Sequence, residues 1–487
     1  MRQVLRELGR SAWEHRGAVP ARVLLVAGAV VPTSQPVVAH GGFDTGLDAP
    51  IPPGLLYGGA VATLLATALL AADGGSTPDL ERRLRSVPAP LAERLALLVR
   101  TAFLLAVTAA LVDGLVGPRN YLLNGATLVV WPLLVEGVAL WSILAGSPWR
   151  TLAPWRTVHD ALSAVEGREL RLRSYPTRLG RWPALVGYVV LIGVVANLTR
   201  IPFDPPATAA VLAGYALVML VGGVVFGRAW FEHADPLAVL YDLLGRASPL
   251  SIDRGPGGRR RLVARTPWTA TARPVHGAVT AAFVVATVYT VSFDGFVDSP
   301  VYRDLYAGLR EGLGPAASVP IYLVGLGAFL LVFALAARLT TRLAGATVGT
   351  DERGPAGDTD RSDGQFAGAT ALAGSLVPIA AGYEVAHNWS YVVTVIGHLP
   401  RSIEIGPFAP GRVELLGWIP LEAAWASQVA LIVVGHAVAV VAAHAVTARL
   451  AGPDATPRTV LRAHAPILLL MIGYTVLSLW VVSLPAG

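Results

Sequence analysis

Apolar stretches of roughly 17 to 25 residues recur from Pro53 to the C-terminus, each long enough to cross about 30 Å of hydrocarbon as an α-helix. They read as Pro53–Ala72, Leu95–Val116, Leu122–Ala145, Ala184–Thr199, Ala207–Gly227, Val275–Ser292, Pro320–Ala337, Ala367–His387, Leu421–Ala448 and Ala465–Pro485. The fourth is the shortest. A chain built this way has few folds open to it, because inside a bilayer every backbone N–H and C=O must find its partner within the protein. Helices of this length meet that demand one segment at a time. The reading is an all-α integral membrane protein, a bundle of about ten transmembrane helices after an N-terminal signal-like segment.

Composition agrees: 54% of the 487 residues are hydrophobic, 14% are charged and the mean hydropathy is +0.57. That leaves too little polar surface for a soluble protein of this length. The chain has no cysteine, which excludes disulfides, thiolate metal sites and cysteine nucleophiles. It also has no lysine, so all the basic residues are arginines. A net charge of +6 raises the question of nucleic acid, and the placement of the arginines answers it. They crowd the alternate connections, for example Arg82, Arg83 and Arg85, then Arg168 to Arg181, then Arg254 to Arg273, while the opposite connections hold few. This is the positive-inside pattern of a multi-pass protein in the cell membrane. It places the arginine-rich loops in the cytoplasm, with residue 40 and the C-terminus outside, and it accounts for Arg259 to Arg261 without a phosphate-binding role. The partners it implies are the lipid bilayer and a small solute or metal ion, with no nucleic acid.

Residues 1–39 begin with spaced arginines, continue through the apolar run Val23 to Val31 and end in small residues around Val37 and Ala39. That is the layout of a signal peptide or, uncleaved, a signal anchor. Cleavage after Ala39 makes His40 the first residue, and a terminal amine beside an imidazole chelates Cu(II); the alternative is an ordinary polar segment. Residues 40–348 then form a membrane domain with seven helices, and 349–366 a Gly- and Asp-rich cytoplasmic linker with almost nothing to bury. Residues 367–487 form a three-helix C-terminal membrane segment. Three features are expected outside the spans. Trp149 and Trp155 act as interfacial anchors in the loop Gly146 to Pro183, Asp294 opens an outer loop at a turn-forming Asp-Gly, and SYVVTVIGHLP either continues the eighth helix or re-enters the membrane.

Ionisable groups in hydrocarbon are costly, so those within spans mark candidate function. Glu384 and His387 are three apart and share a helix face. His436 and His444 lie eight apart on the ninth span, about 12 Å along it, too far to share one metal. With helices eight and nine antiparallel, a site of Glu384, His387, Gln428 and His436 is geometrically reasonable, with His444 deeper. Glu136, midway along the third span, is a lone buried acid directed to the same cavity. Three chemistries fit: copper or zinc on neutral imidazoles, bis-histidine ligation of haem b, or a proton or solute path through Glu136, Gln428 and His444. Interhelical hydrogen bonding is the structural alternative. The chain has no H-E-x-x-H, no phosphate-binding glycine loop and no G-x-S-x-G elbow.

Several stretches in order along the chain resemble a group of actinobacterial and archaeal membrane proteins labelled "fenitrothion hydrolase". They include HGG with DAPIP (His40 to Pro52), APWR (Ala153 to Arg156), YPTRLGRWPA (Tyr175 to Ala184), SFDGF (Ser292 to Phe296), SLVPIAAGYEVAH (Ser375 to His387), WASQVALIVVGH (Trp425 to His436) and MIGYTVLSLW (Met471 to Trp480). The resemblance implies organophosphate ester hydrolysis. The residues favour transport or handling of a metal ion or other small solute at an intramembrane His/Glu site. A membrane-embedded metal-dependent hydrolase or haem redox protein is the alternative, and a structural subunit of a membrane complex the third.

Overall fold

The structure is a computed structural model describing residues 51–73, 80–255, 258–345, 367–402 and 413–484. The signal segment, His40 and the linker 349–366 lie outside these residues. Among the described residues ten helical spans are long and apolar enough to cross a membrane: α1 (Pro53–Asp73), α2 (Ala89–Val116), α3 (Gly125–Ala145), α4 (Thr177–Ala196), α5 (Pro205–Phe226), α6 (Ala278–Val297), α7 (Ser318–Leu343), α8 (Val377–Ser402), α9 (Leu421–Ala451) and α10 (Pro457–Val482). The protein is therefore an all-α, multi-pass membrane bundle. Its outer helices turn aliphatic side chains outward: on α2 only Val107, Ala110 and Gly114 are buried, while Leu97, Leu98 and Leu105 stand exposed. Such a surface is stable against lipid and not against water.

The interior belongs to α6 and α8, the two most enclosed spans. α8 packs most extensively on α9 and also meets α3, α6 and the short helix Pro236–Leu244. α1 lies against α9 and α10, and α7 against α10, so spans on both sides of the linker share one core. A hydrophobic effect between helices is absent in lipid, and close packing of small residues takes its place. The α8–α9 crossing shows this directly. A Cβ added at Gly435 meets the Pro378 carbonyl oxygen at 2.6 Å, and one at Gly382 meets the Leu431 carbonyl oxygen at 2.8 Å. The two backbones touch. Gly222 and Gly223 make room in the same way for Trp230 and Phe231, whereas Gly54, Gly58 and Gly59 have open space around them.

Beyond the spans, three strands form an antiparallel sheet in the order β1 (Glu81–Val87), β3 (Arg260–Arg265), β2 (Leu250–Arg254). It ties the α1–α2 connection to the α5–α6 connection at the arginine-rich end. Trp149 and Trp155 are not interfacial anchors. Both are 1% exposed, and their indole N–H groups donate to Asp235 Oδ2 at 3.1 and 2.9 Å. Tyr215 donates to the other oxygen at 2.6 Å, as do the backbone N–H groups of Leu237 and Ala238 at the start of the helix Pro236–Leu244. Burial pushes the Asp235 carboxyl up and these donors oppose it. A buried carboxylate demands such a set of donors, and the two tryptophans are drawn inward to supply it.

At the other end, α6 continues to Val297 in place of the expected loop at Phe293, and an amphipathic helix, Pro300–Leu313, follows it. The segment SYVVTVIGHLP continues α8 to Ser402 rather than re-entering the membrane.

Two variants test this packing. Gly435→Val should destabilise the protein by about 2 kcal/mol, because no flexible side chain can yield at the crossing; the thermal midpoint in detergent reads it. Asp235→Ala strands two indoles, a phenol and two backbone donors, so a loss on the order of 3 kcal/mol is expected by the same measurement, with a smaller loss for Asp235→Asn.

Candidate functional site

One face of α8 carries Glu384, His387 and Asn388, spaced by three and four residues and so stacked along a single stripe. The stripe looks away from α9. Gly382 faces α9, and at about 100° per residue Glu384 projects roughly 200° around the helix from it. It therefore faces α3 and α6. From α3 comes Glu136, whose carboxyl lies within hydrogen-bond reach of Glu384, and Asn388 bonds Glu384 from the following turn. Two carboxyl groups joined by a hydrogen bond hold a proton between them, since an ionised carboxylate only accepts. From α6 comes Asp294, whose Oδ2 lies 2.9 Å from His387 Nε2. The Tyr383 ring stacks on the His387 imidazole at 6.0 Å between centroids and limits its tilt.

Two of the four spans that wall the site, α3 and α4, depart from α-helical winding. Val130–Gly137 in α3 and Val189–Ala196 in α4 are π-helical, a winding found mostly where function needs a displaced side chain. In α3 the cause is visible: Pro132 has no N–H and removes an i→i−4 bond. The Tyr241 hydroxyl then bonds the carbonyl oxygens of Leu134 and Val135 at 2.6 and 3.1 Å, immediately before Glu136. No corresponding residue explains the π winding in α4. These walls enclose a cavity of about 40 Å³ that Glu136, Asn197, Asp294, Glu384, His387 and Asn388 line together with apolar and hydroxyl-bearing neighbours. One or two water molecules fill such a space.

The expected site is therefore assembled in part. Glu136, Glu384 and His387 come together; His436 and Gln428 do not line the cavity. His436 sits beside the Gly435 contact, bonds the Ile432 carbonyl oxygen through Nδ1 at 2.8 Å, and keeps Nε2 buried without a hydrogen-bond partner. His444 packs edge-on against His464 of α10, with ring centroids 5.3 Å apart. Among the described residues no three His, Asp or Glu side chains are placed to hold a metal ion, and a 40 Å³ cavity is far too small for haem.

Asp294, Asn197, Asn388 and His464 were not expected. A signal for Asp294 exists in the chain: Thr287, Thr290, Val291 and Asp294 follow the i, i+3, i+4, i+7 spacing of one helix face, and all four line the cavity. Reading Asp-Gly as a turn hides it. The chain matches no protein-family model, no curated protein and no solved structure.

The shared proton is open to spectroscopy. The infrared carbonyl band of a protonated carboxylic acid should be present in the wild type, shift or disappear in each of Glu136→Gln and Glu384→Gln, and be absent from the double variant. A band unchanged in both single variants would mean that the carboxyls do not share the proton.

Proposed function

We propose that this chain is a membrane transport protein that moves protons through the cluster of Glu136, Glu384, Asp294 and His387. The observation that carries the reading is the carboxyl pair joined across α3 and α8 beside a water-sized cavity. Buried acids in spanning helices that face a polar chamber are the usual elements of a proton path. The groups also form a graded series. Glu136 and Glu384 lie midway along their spans, whereas Asp294 is close to the end of α6 opposite the arginine-rich side. A proton entering there meets the Asp294–His387 contact first and the carboxyl pair second. By the positive-inside rule the entry faces the cell exterior.

Ester hydrolysis, the activity attached to the resembling family, needs a pocket of roughly 300 Å³ or more for its substrate. The acid cluster offers about 40 Å³. Metal handling would need a third ligand beside His387 and Asp294 or beside the carboxyl pair. These comparisons favour the proton.

The test uses the full chain in liposomes with an entrapped pH dye and an imposed membrane potential. Wild-type protein should acidify or alkalinise the lumen faster than protein-free liposomes. Glu136→Gln and Glu384→Gln should each slow the initial rate by more than about tenfold, a barrier change of roughly 1.4 kcal/mol. A wild-type rate equal to that of the two variants sinks the reading.

A further inference from the structure

The sheet at the arginine-rich end has two unlike faces. Residues paired directly across strands share a face, so the register sorts them. One face collects Ser251, Val263 and Arg83, then Asp253, Arg261 and Ser86, then Glu81 and Arg265. Along β3 it is turned to the protein, where Val263 is buried and Arg265 reaches the carbonyl oxygens of Ser248 and Gly245 at 3.0 and 2.7 Å, while Glu81, Arg83, Ser86 and Asp253 remain exposed. On the other face the rows are Leu250, Ala264 and Arg82, then Ile252, Leu262 and Arg85, then Arg260 and Val87. Its centre is aliphatic and its margin is arginine.

That second face is half-buried along β3 and open at its margins. Ile252 is 60% exposed and Arg82 and Arg85 are exposed on an edge strand. Among the described residues none of Arg82, Arg85 and Arg260 has a carboxylate within ion-pair distance. The location limits what can cover it. β1 ends at Val87, and after Pro88 the chain enters α2, the span most exposed to lipid; β2 packs on the adjoining end of α3. The face thus lies at the level where lipid headgroups begin.

We infer that this face of the β1–β3–β2 sheet rests on the bilayer and binds anionic phospholipid headgroups, with Arg82, Arg85 and Arg260 on the phosphates and Ile252 and Leu262 against the glycerol and upper acyl region. Guanidinium suits this task because its planar fork bonds phosphate oxygens in pairs. The aliphatic centre separates a lipid surface from a free phosphate, which gains nothing from Ile252 and Leu262.

The experiment is hydrogen exchange on the full chain in nanodiscs of phosphatidylcholine alone and of phosphatidylcholine mixed with phosphatidylglycerol. The β1 amides should exchange at least about tenfold more slowly in the mixed bilayer, a bound well inside what three arginine–headgroup contacts can supply. High salt should remove the difference. The triple variant Arg82→Gln/Arg85→Gln/Arg260→Gln should abolish it while keeping the wild-type thermal midpoint, and Arg83→Gln, on the opposite face, should retain it. Equal exchange in the two bilayers overturns the inference. So does slowing by inorganic phosphate in phosphatidylcholine nanodiscs, which marks a small-anion site, or a triple variant that still distinguishes the bilayers.

Discussion

The contact between Glu136 and Glu384 sets the terms for the interior of the bundle. A carboxyl group in hydrocarbon without a partner is unstable, and two of them on facing helices are tolerable only when a proton and a hydrogen bond join them. That requirement fixes α3 against α8 in rotation as well as distance. It makes use of the π winding that Pro132 introduces around Glu136, which displaces the side chain, and of Tyr241, which bonds the carbonyl oxygens just before it. It also gives Asn388 its role, since this amide supplies a donor that the second carboxyl does not.

α8 serves two demands on opposite sides. Toward α9 it offers Pro378 and Gly382, and the backbones meet with no side chain between them. Toward α3 and α6 it offers Glu384, His387 and Asn388. Putting the polar stripe about half a turn from the glycine keeps acids out of the tightest contact, where no water or donor fits. The same division explains the isolation of His436. It belongs to the glycine side of the pair, and among the described residues its hydrogen bond is to its own helix.

The fold was largely legible because the bilayer imposes a length and a composition that any span must satisfy. The ten spans, the arginine asymmetry and the candidacy of Glu136, Glu384 and His387 follow from rules local to each segment. The partners of these residues were not legible, because they depend on helix rotation. Pairing His387 with His436 assumed that neighbouring spans turn their polar residues toward each other, and the Gly382–Gly435 contact reverses that. Asp294 was hidden by a turn signal, Asp-Gly, that helical context overrode for one further turn of α6. Trp149 and Trp155 followed the interfacial preference of tryptophan until the buried Asp235 is considered, and nothing near them in sequence announces a residue some eighty positions away.

The size of the acid chamber limits what the helices around it permit. Close-packed interiors do not expand without separating helices, and here the separation would have to break the glycine contact of α8 with α9 or the carboxyl bond of α8 with α3. The second bond depends on a proton. Removing that proton leaves two negative charges facing each other, whereas two neutral acids can still hydrogen-bond each other. Loss of the proton loosens α8 from α3, while the glycine seam, which carries no charge, holds α8 to α9. The asymmetry makes the α3–α8 interface a place in the core where protonation and helix position act on each other, beside the Asp294–His387 contact that joins α8 to α6.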